Sequence, residues 1–524
     1  MGKVRNVLFI MADQLRWDHL SCYGHPRLAT PAMDEIARRG VRFDRAYVNA
    51  TVCGPSRMSY YTGRSMSSHG SNWNGVPLRV GEPTLGDHLR PLGVRVALVG
   101  KTHMTADMPG LQRLGIPSQS IEGIYARECG FEPYERDDGL HPDGSVDPDL
   151  AYNRYLKRLG YDDPNPWHTN ANAGEGANGE VLSGWFMRNA QLPARVAEEH
   201  SETAYMTDRA MAFINEAGEQ PWCLHLSYIK PHWPYIAPAP YHAMFGPDDM
   251  LPVNRDEGER VDPHPVYGAY MKHTESESFS RDDVRRAVVP VYMGLIRQID
   301  DHLARLWRFM EARGLFDNTM IVITSDHGDY LGDHWLGEKE LFHEESARVP
   351  MILYDPDPAA DATRGTASSA FVEAIDLVPT FVEAVEGPKL DHILEGHSLL
   401  ALTRNTASSP WRDQAVSELD YSFRRARIDL DVPPDGARAY MVRTARWKYV
   451  FYEGFRPQLF DLESDPRELV DRGADPALEP VRQEMKERLF EWSRTRKSRI
   501  TMSNDDVVKR TDTHRRRGIF IGEW

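Results

Sequence analysis

The sequence predicts an α/β fold: a large, mostly parallel sheet flanked by helices, followed by a smaller C-terminal α+β domain. Two patterns carry this prediction. Over roughly the first 385 residues, short runs rich in Val, Ile and Leu alternate with helical patterns, which is typical of parallel sheets covered by helices. After that point, strand candidates and turn-rich segments follow one another more closely. The length of 524 residues also favours two hydrophobic cores over one.

Four apolar runs are predicted to be buried strands of the large sheet, at residues 4–12, 94–99, 222–228 and 320–325. Charged, amide or imidazole side chains follow every one of these runs. They are Asp13 and Gln14, Lys101 and His103, Lys230 and His232, and Asp326 and His327. Because ligands bind beyond the carboxyl ends of the strands in open α/β sheets, we expect these groups to share one site.

The helices of the large domain are predicted at residues 31–39, 201–217 and 282–313. Between the first two of these helices, residues 105–195 are rich in Gly, Pro, Asn and Asp and contain few periodic stretches. We expect this region to form long loops that cover the site.

The C-terminal part contains a strand candidate at residues 446–451 and a helical pattern at 478–494. We therefore divide the chain into a catalytic domain at 1–385, a smaller α+β domain at 386–493 and a C-terminal arm at 494–524. The arm has many Arg and Lys residues and little apolar periodicity. It either wraps another subunit of a homo-oligomer, a dimer or a tetramer, or is a solvated tail.

Charge and composition exclude several classes of partner. Lys and Arg number 62 against 78 Asp and Glu, and the net charge of −16 argues against nucleic acid or an anionic membrane as the ligand. No run approaches the ~18 apolar residues of a membrane span. The N-terminal residues do not match a secretory signal peptide, so we expect a cytoplasmic protein. The 4 cysteines show no CxxC spacing and indicate neither a disulfide framework nor a zinc cluster.

One short segment, Cys53-Gly-Pro-Ser-Arg57, carries a specific chemical signal. Pro55 suits the first turn of a helix, which places Cys53 at the helix N-terminus. A thiol in that position becomes more acidic, and an anion there is stabilised. The competing interpretation is a cysteine buried beside a helix start for packing alone.

Two of the predicted strand ends supply ligands for a divalent cation. Asp13, Gln14, Asp326 and His327 provide two carboxylates, an amide oxygen and an imidazole. Such an oxygen-rich set suits a divalent ion. Each residue alone is equally well explained as part of a loop after a strand. Two such strand ends, together with a cysteine at a helix start, favour a metal site.

The segment Cys53-Gly-Pro-Ser-Arg57 resembles the CxPSR signature of the sulfatase family, within the alkaline phosphatase superfamily. The resemblance implies an alkaline-phosphatase-like fold and the oxidation of Cys53 to formylglycine by a formylglycine-generating enzyme. The hydrated aldehyde is then the nucleophile toward a small anionic ester, and its second hydroxyl expels the product from the covalent intermediate. The resemblance also implies one divalent metal ion, Ca²⁺ or Mn²⁺, held by Asp13, Gln14, Cys53, Asp326 and His327.

The same resemblance assigns roles to the other strand-end residues. Lys101 resembles the sulfatase lysine that neutralises the non-bridging oxygens of the sulfate. His103 resembles the histidine that acts as the base when the covalent intermediate collapses. His232 and Lys339 resemble the pair at the leaving-group oxygen.

Two further residues complete the candidate site. Arg57 is expected to hold the deprotonated nucleophile and to tie down its loop, a role that suits a fixed bidentate donor. Asn74 is a candidate donor to the substrate oxyanion. A plain Asn-Gly turn is the alternative interpretation of Asn74.

Two branches of the superfamily compete as models for the substrate. Segments such as His225-Leu-Ser-Tyr and Thr324-Ser-Asp-His-Gly resemble bacterial phosphonate monoester hydrolases. Those hydrolases carry tyrosine and threonine where this chain has Lys101 and His103, and the Lys/His pair is the sulfatase pattern. Because function belongs to the site more than to the scaffold, we predict hydrolysis of sulfate monoesters, mainly aryl sulfates, with promiscuous phosphonate monoester and phosphodiester hydrolysis. Phosphonate monoester or phosphodiester hydrolysis as the primary activity is the alternative.

Overall fold

The computed structural model describes residues 4–139, 141–142, 150–406, 410–522 and 524. Within these residues the strands form an eight-stranded sheet, a four-stranded sheet and a two-stranded ribbon. The strands are β1 (Asn6–Asp13), β2 (Val41–Tyr47), β3 (Arg95–Gly100), β4 (Glu132–Arg136), β5 (Ala173–Glu175), β6 (Val181–Ser183), β7 (Trp222–Pro231), β8 (Thr319–Thr324), β9 (Met351–Tyr354), β10 (Thr366–Glu373), β11 (Gln414–Asp420), β12 (Arg438–Thr444), β13 (Trp447–Tyr452) and β14 (Gln458–Asp461).

The large sheet is mostly parallel, as predicted. Its order is β10-β2-β9-β8-β1-β7-β3-β4, and β9 pairs antiparallel with both of its neighbours while the other described pairs are parallel. Every residue of β1, β7 and β8 is buried, because these central strands are covered on both faces. The four predicted strands are neighbours in the order β8-β1-β7-β3, so their carboxyl ends lie along one edge of the sheet.

Helices cover both faces of the large sheet. They are α1 (Pro31–Arg39), α2 (Cys53–Thr62), α3 (Met66–His69), α4 (Leu85–Leu89), α5 (Met108–Leu114), α6 (Ile121–Arg127), α7 (Ala151–Arg158), α8 (Glu202–Ala217), α9 (Pro265–Tyr270), α10 (Thr274–Phe279), α11 (Asp282–Glu311), α12 (Glu344–Ala347), α13 (Leu377–Ala384), α14 (Leu400–Thr403), α15 (Arg425–Asp429), α16 (Glu479–Arg494) and α17 (Asn504–Arg510). One hydrophobic core lies against α1, α8 and α11, and the other lies against α2, α4 and α13. Among the described residues, none of these helices has the length and apolar character that a membrane crossing requires.

The smaller sheet is antiparallel and has the order β11-β12-β13-β14. Helix α16 covers one face of it, where Met485 packs with Val416 and Leu459. The other face packs on the large domain through a core that includes Met441 and Tyr330. The predicted smaller α+β unit is therefore confirmed, while the residues at which the domains were divided stay a prediction.

Parts of the fold differ from the sequence-based expectation. The stretch 105–195, expected to be long loops, also contains β4–β6 and α5–α7. These elements are short and many of their residues are partly exposed, so they leave no clear apolar period in the sequence. Strand β7 continues to Pro231 instead of ending at residue 228, which makes Lys230 part of the strand. Strands β2 and β10 lie outside the four predicted runs because they are mixed in polarity, and β9 lies outside them because it has only four residues.

Candidate active site

The carboxyl ends of β8, β1, β7 and β3 bring the predicted groups together at one edge of the large sheet. Asp13 ends β1, and Asp326 and His327 follow β8. Lys101 comes directly after β3, and His232 comes directly after β7. All five side chains are buried. The structure thus places residues from four distant chain segments in a single site.

Helix α2 begins at Cys53, as the sequence predicts, and its N-terminus lies at this edge of the sheet. Two contacts fix its first turn. The hydroxyl of Ser56 donates to the carbonyl oxygen of Asp326 at 2.6 Å, and the backbone N–H of Gly54 donates to Oδ1 of Asn74 at 2.8 Å. Because the Asn74 oxygen is used in this way, its amide nitrogen is the group that can donate to a substrate.

Four of the five predicted metal ligands form one buried group. The ligand atoms of Asp13, Cys53, Asp326 and His327 all lie within 4.8 Å of one another, with the Cys53 sulfur 3.0 Å from Nε2 of His327. Oδ1 of Asp13 is buried and has no hydrogen-bond partner in the part of the chain that the structure describes. A buried carboxylate oxygen without a partner is expected where it serves as a ligand. These residues therefore fit the divalent cation that the sequence predicts.

Gln14, the fifth predicted ligand, borders this group. Its backbone N–H donates to Oδ1 of Asp326 at 3.0 Å, and its Oε1 accepts from Nζ of Lys339 at 3.3 Å. Its amide nitrogen donates to Oδ2 of Asp329 at 2.5 Å and to the hydroxyl of Tyr235 at 3.1 Å. Asp329 was not among the sequence-based candidates, although it belongs to the same polar run that follows β8. It holds the Gln14 side chain in place.

The guanidinium of Arg57 joins residues of all four central strands and of the turns that follow them. Its Nη2 lies 3.1 Å from Oδ2 of Asp13, and its Nε lies 2.9 Å from Oδ2 of Asp326. Its Nη1 donates to the carbonyl oxygen of Lys101 and to the hydroxyl of Ser227, both at 2.8 Å. Burial disfavours its charge, but Asp326 and Asp13 raise the pKa of Arg57 well above its ordinary value. Besides lying on the helix that begins at Cys53, Arg57 therefore braces both carboxylates of the candidate metal site.

Strand β3 ends at a glycine that lets Lys101 reach the metal-site group. Gly100 has φ +108°, and a Cβ there would lie 1.9 Å from the carbonyl oxygen of Ser227 on β7. Only glycine tolerates both the conformation and this close approach. Nζ of Lys101, which is fully buried, then lies 2.5 Å from Oδ2 of Asp13. Lys101 is a fixed positive charge at the edge of the site.

His103 lies on the turn after Lys101, with a backbone φ of 53°. The backbone N–H groups of Thr102 and His103 both donate to Oδ1 of Asp138, at 2.8 and 2.9 Å, which holds this turn in place. The His103 side chain is one of the groups that lower the pKa of the Cys53 thiol. Asp138 lies in the stretch predicted as loops, where no motif identified it.

The electrostatics of the site favour negative charge at Cys53. Burial disfavours a thiolate, but Lys339, His327 and Lys101 together lower the pKa of Cys53 well below its ordinary value. The same cations attract the anionic group of an ester substrate. Burial also opposes the charge of His327, yet Asp326 and Cys53 raise the pKa of His327 to about 9. A cation bound through the imidazole therefore displaces a proton.

His232 and Lys339 lie side by side and have different proton states. Nζ of Lys339 is 3.4 Å from Nε2 of His232, and Nδ1 of His232 is 2.7 Å from the carbonyl oxygen of Trp233. Because a carbonyl only accepts, Nδ1 carries the proton and Nε2 is an acceptor. Burial, with help from Lys101 and Lys339, lowers the pKa of His232 to about 3 despite the opposing charge of Asp13. For Lys339, burial opposes the charge, but Cys53 and nearby carboxylates raise the pKa above its ordinary value. Lys339 is therefore the protonated member of the pair.

Comparison with known protein families supports the same kind of active site as the geometry does. Residues 5–387 match the sulfatase family, and residues 332–495 match the C-terminal region of N-sulphoglucosamine sulphohydrolase. The chain belongs to the sulfatase family. Its fold is alkaline-phosphatase-like, and it is an ester hydrolase of the sulfate and phosphonate class.

Individual relatives of this sulfatase-family chain come from both branches. The multifunctional alkaline phosphatase superfamily protein PehA of Trinickia caryophylli is 29% identical, over 93% of this chain and 95% of its own. An arylsulfatase of Clostridium perfringens is 26% identical, over 89% of each chain. The solved structure of the phosphonate monoester hydrolase from Silicibacter pomeroyi superposes with a TM-score of 0.83 at 26% identity, over 96% of this chain and 98% of its own.

Removing the charge of Arg57 is predicted to destabilise the whole domain. Arg57→Met leaves Asp13 and Asp326 close together and buried without their shared partner, and losing one partner of a buried ion pair typically costs about 3–5 kcal/mol. Urea unfolding in the presence of a chelator measures this free energy without a contribution from metal. Arg446→Met is the matched control, because the Arg446 side chain is half exposed and water screens its ion pair with Asp461. Equal losses in the two variants contradict the bracing role of Arg57.

Metal binding is predicted to raise the melting temperature through Asp13 and Asp326. A ligand that binds only the folded state at 100 times its Kd adds about 2.7 kcal/mol to the free energy of unfolding. Chelated protein is titrated with CaCl₂ and, separately, with MnCl₂, and the melting temperature is followed by calorimetry. Asp13→Asn and Asp326→Asn should abolish the increase, while Asp435→Asn at an exposed position should retain it. An increase that survives both site variants places the cation elsewhere.

Proposed function

We propose that the chain hydrolyses sulfate monoesters, mainly aryl sulfates, and that phosphonate monoesters and phosphodiesters are secondary substrates of the same site. The observation that carries this proposal is the pair of residues after β3. The fully buried Lys101 lies 2.5 Å from Oδ2 of Asp13, and His103 lies near enough to Cys53 to help lower the pKa of its thiol. A fixed cation and a base beside the nucleophile suit the collapse of a covalent sulfate ester.

The proposed nucleophile is Cys53 after oxidation to formylglycine. The hydrated aldehyde supplies two hydroxyl groups on one carbon, one for the attack and one for releasing the product, which neither serine nor cysteine offers. Lys101 neutralises the non-bridging oxygens of the ester, and His103 takes a proton from the second hydroxyl during release. A divalent cation held by Asp13, Gln14, Asp326, His327 and the modified Cys53 supplies Lewis acidity when bound. Calcium and manganese both fit this donor set.

Lys339 is proposed to protonate the leaving-group oxygen. It holds its proton at neutral pH, whereas the neutral His232 directs an acceptor nitrogen at Nζ of Lys339, 3.4 Å away. His232 therefore orients the ammonium group and is not the proton source before substrate binds. The resemblance gives the two residues as a pair at the leaving-group oxygen, and their different proton states divide the roles between them.

The protein also needs partners for this chemistry. We propose that a formylglycine-generating enzyme oxidises Cys53 and that the protein works in the cytoplasm. We further propose that the arm at 494–524 contacts another copy of the chain, since none of the residues of α17 is buried.

Phosphonate monoester hydrolysis as the primary activity is the second candidate. It is supported by the TM-score of 0.83 to the enzyme from Silicibacter pomeroyi, which extends over 96% of this chain. The deciding experiment compares kcat/KM for phenyl sulfate with kcat/KM for phenyl phenylphosphonate. It uses metal-replete protein in which peptide mass spectrometry has verified the conversion of Cys53. A higher value for the sulfate supports the proposal, and a higher value for the phosphonate replaces it with the second candidate.

Exchanging the pair after β3 is predicted to change the preference between the two esters. The double substitution Lys101→Tyr with His103→Thr installs the residue types of phosphonate monoester hydrolases. Removing one electrostatic donor or a catalytic base costs about 10²–10³-fold in rate. We therefore expect kcat/KM for phenyl sulfate to fall about 100-fold more than kcat/KM for phenyl phenylphosphonate. Parallel losses on both esters would show that the pair does not set the preference.

A further inference from the structure

Two aromatic rings from different parts of the chain stack near the helix that begins at the proposed nucleophile. Trp73 and Phe423 have ring centroids 5.6 Å apart and planes only 10° from parallel. Trp73 belongs to the loop after α3, and Phe423 follows β11 of the small sheet. Phe423 is 60% exposed, so much of its ring remains accessible beside its stacking partner.

The ring pair is held against the first turn of α2. Asn74, the neighbour of Trp73, accepts a hydrogen bond from the backbone N–H of Gly54 at 2.8 Å. A Cβ at Gly54 would lie 2.9 Å from Oδ1 of Asn74 and 3.5 Å from the carbonyl oxygen of Trp73. The backbone that carries the indole ring is therefore in near contact with the residue after Cys53.

Further contacts link the ring pair to the segment that contains Lys339, the proposed proton donor to the leaving group. Arg424, the neighbour of Phe423, forms an ion pair with Glu340 through Nε and Oε2 at 2.9 Å. Glu340 follows Lys339, the proposed proton donor, and its carbonyl oxygen accepts a hydrogen bond from Thr51. Phe423 and Lys339 are thus linked through adjacent residues, and the Lys339 segment contacts the chain two residues before Cys53.

We propose that Trp73 and Phe423 form a subsite for a planar aromatic leaving group. The exposed face of the stacked pair offers a ring the offset stacking that aromatic groups prefer, while Lys339 meets the bridging oxygen. This inference rests on the proposed function, because it uses the same nucleophile and the same proton donor. It makes the small C-terminal sheet a contributor to substrate choice, through Phe423.

The experiment varies the leaving group of the ester independently of its reacting centre, which is sulfate or phosphonate. Four esters are compared by kcat/KM: phenyl sulfate, methyl sulfate, phenyl phenylphosphonate and methyl phenylphosphonate. For Phe423→Ala we expect the phenyl-to-methyl ratio to fall about 10-fold on whichever centre reacts, since a lost aromatic contact has this size. Phe423→Trp should preserve the ratio. Phe490→Ala is the matched control, because Phe490 is 63% exposed on α16 and should leave the ratio unchanged.

A binding measurement keeps the subsite testable if neither centre reacts. Phenylmethanesulfonate and ethanesulfonate replace the bridging oxygen of the two sulfate esters by a carbon and are not hydrolysed. Calorimetry should show that Phe423→Ala loses about 10-fold in affinity for the phenyl compound relative to the ethyl compound. An unchanged ratio in both experiments overturns the subsite, whether the variant loses nothing or loses equally on the aromatic and the alkyl compounds. The sulfate-to-phosphonate preference of the wild type decides the proposed function separately.

Discussion

The buried guanidinium of Arg57 is the contact on which the rest of the site depends. Asp13 and Asp326 carry like charges into the interior, and they come from chain segments that are adjacent only after folding. A point charge such as lysine neutralises a carboxylate, but a planar fork of donors also fixes orientation, and here it reaches four strand ends at once. With those ends held in register, Cys53, Lys101 and the metal-site oxygens occupy defined positions relative to each other.

Several side chains around Cys53 are positively charged, although the net charge of the whole protein is negative. The chain has a net charge of −16, yet Arg57, Lys101 and Lys339 meet around one nucleophile. Arg57 and Lys101 are each paired to carboxylates of the metal group, whereas Lys339 faces the neutral His232 and the amide oxygen of Gln14. Arg57 therefore braces the site, while Lys101 and Lys339 are the two cations proposed to contact the substrate. An anionic ester is attracted by this local arrangement, not by the overall field.

The sequence identified those parts of the structure whose physical cause is local. Strand β1 is a nearly continuous apolar run because both of its faces are covered. Pro55 indicates the start of α2 because proline suits the first turn of a helix in any surroundings. Asp138 and Asp329 carry no such signal, since each acts by accepting hydrogen bonds from a segment far away in the chain. The same holds for Phe423, whose role comes from the loop that folds against it. Strand β2 was missed because it alternates charged with apolar residues near one side of the sheet.

The burial of α2 limits the time during which Cys53 can be modified in each molecule. Cys53 has no exposed surface, and all ten residues of its helix are inside the domain. If Cys53 is converted to formylglycine as proposed, the modifying enzyme has to reach the thiol before the domain closes over α2, because the folded chain leaves the thiol no exposed surface. A chain that folds before this conversion keeps its thiol. The converted fraction of a preparation is then set before folding is complete, and later treatment of the folded protein with the enzyme is not expected to raise it.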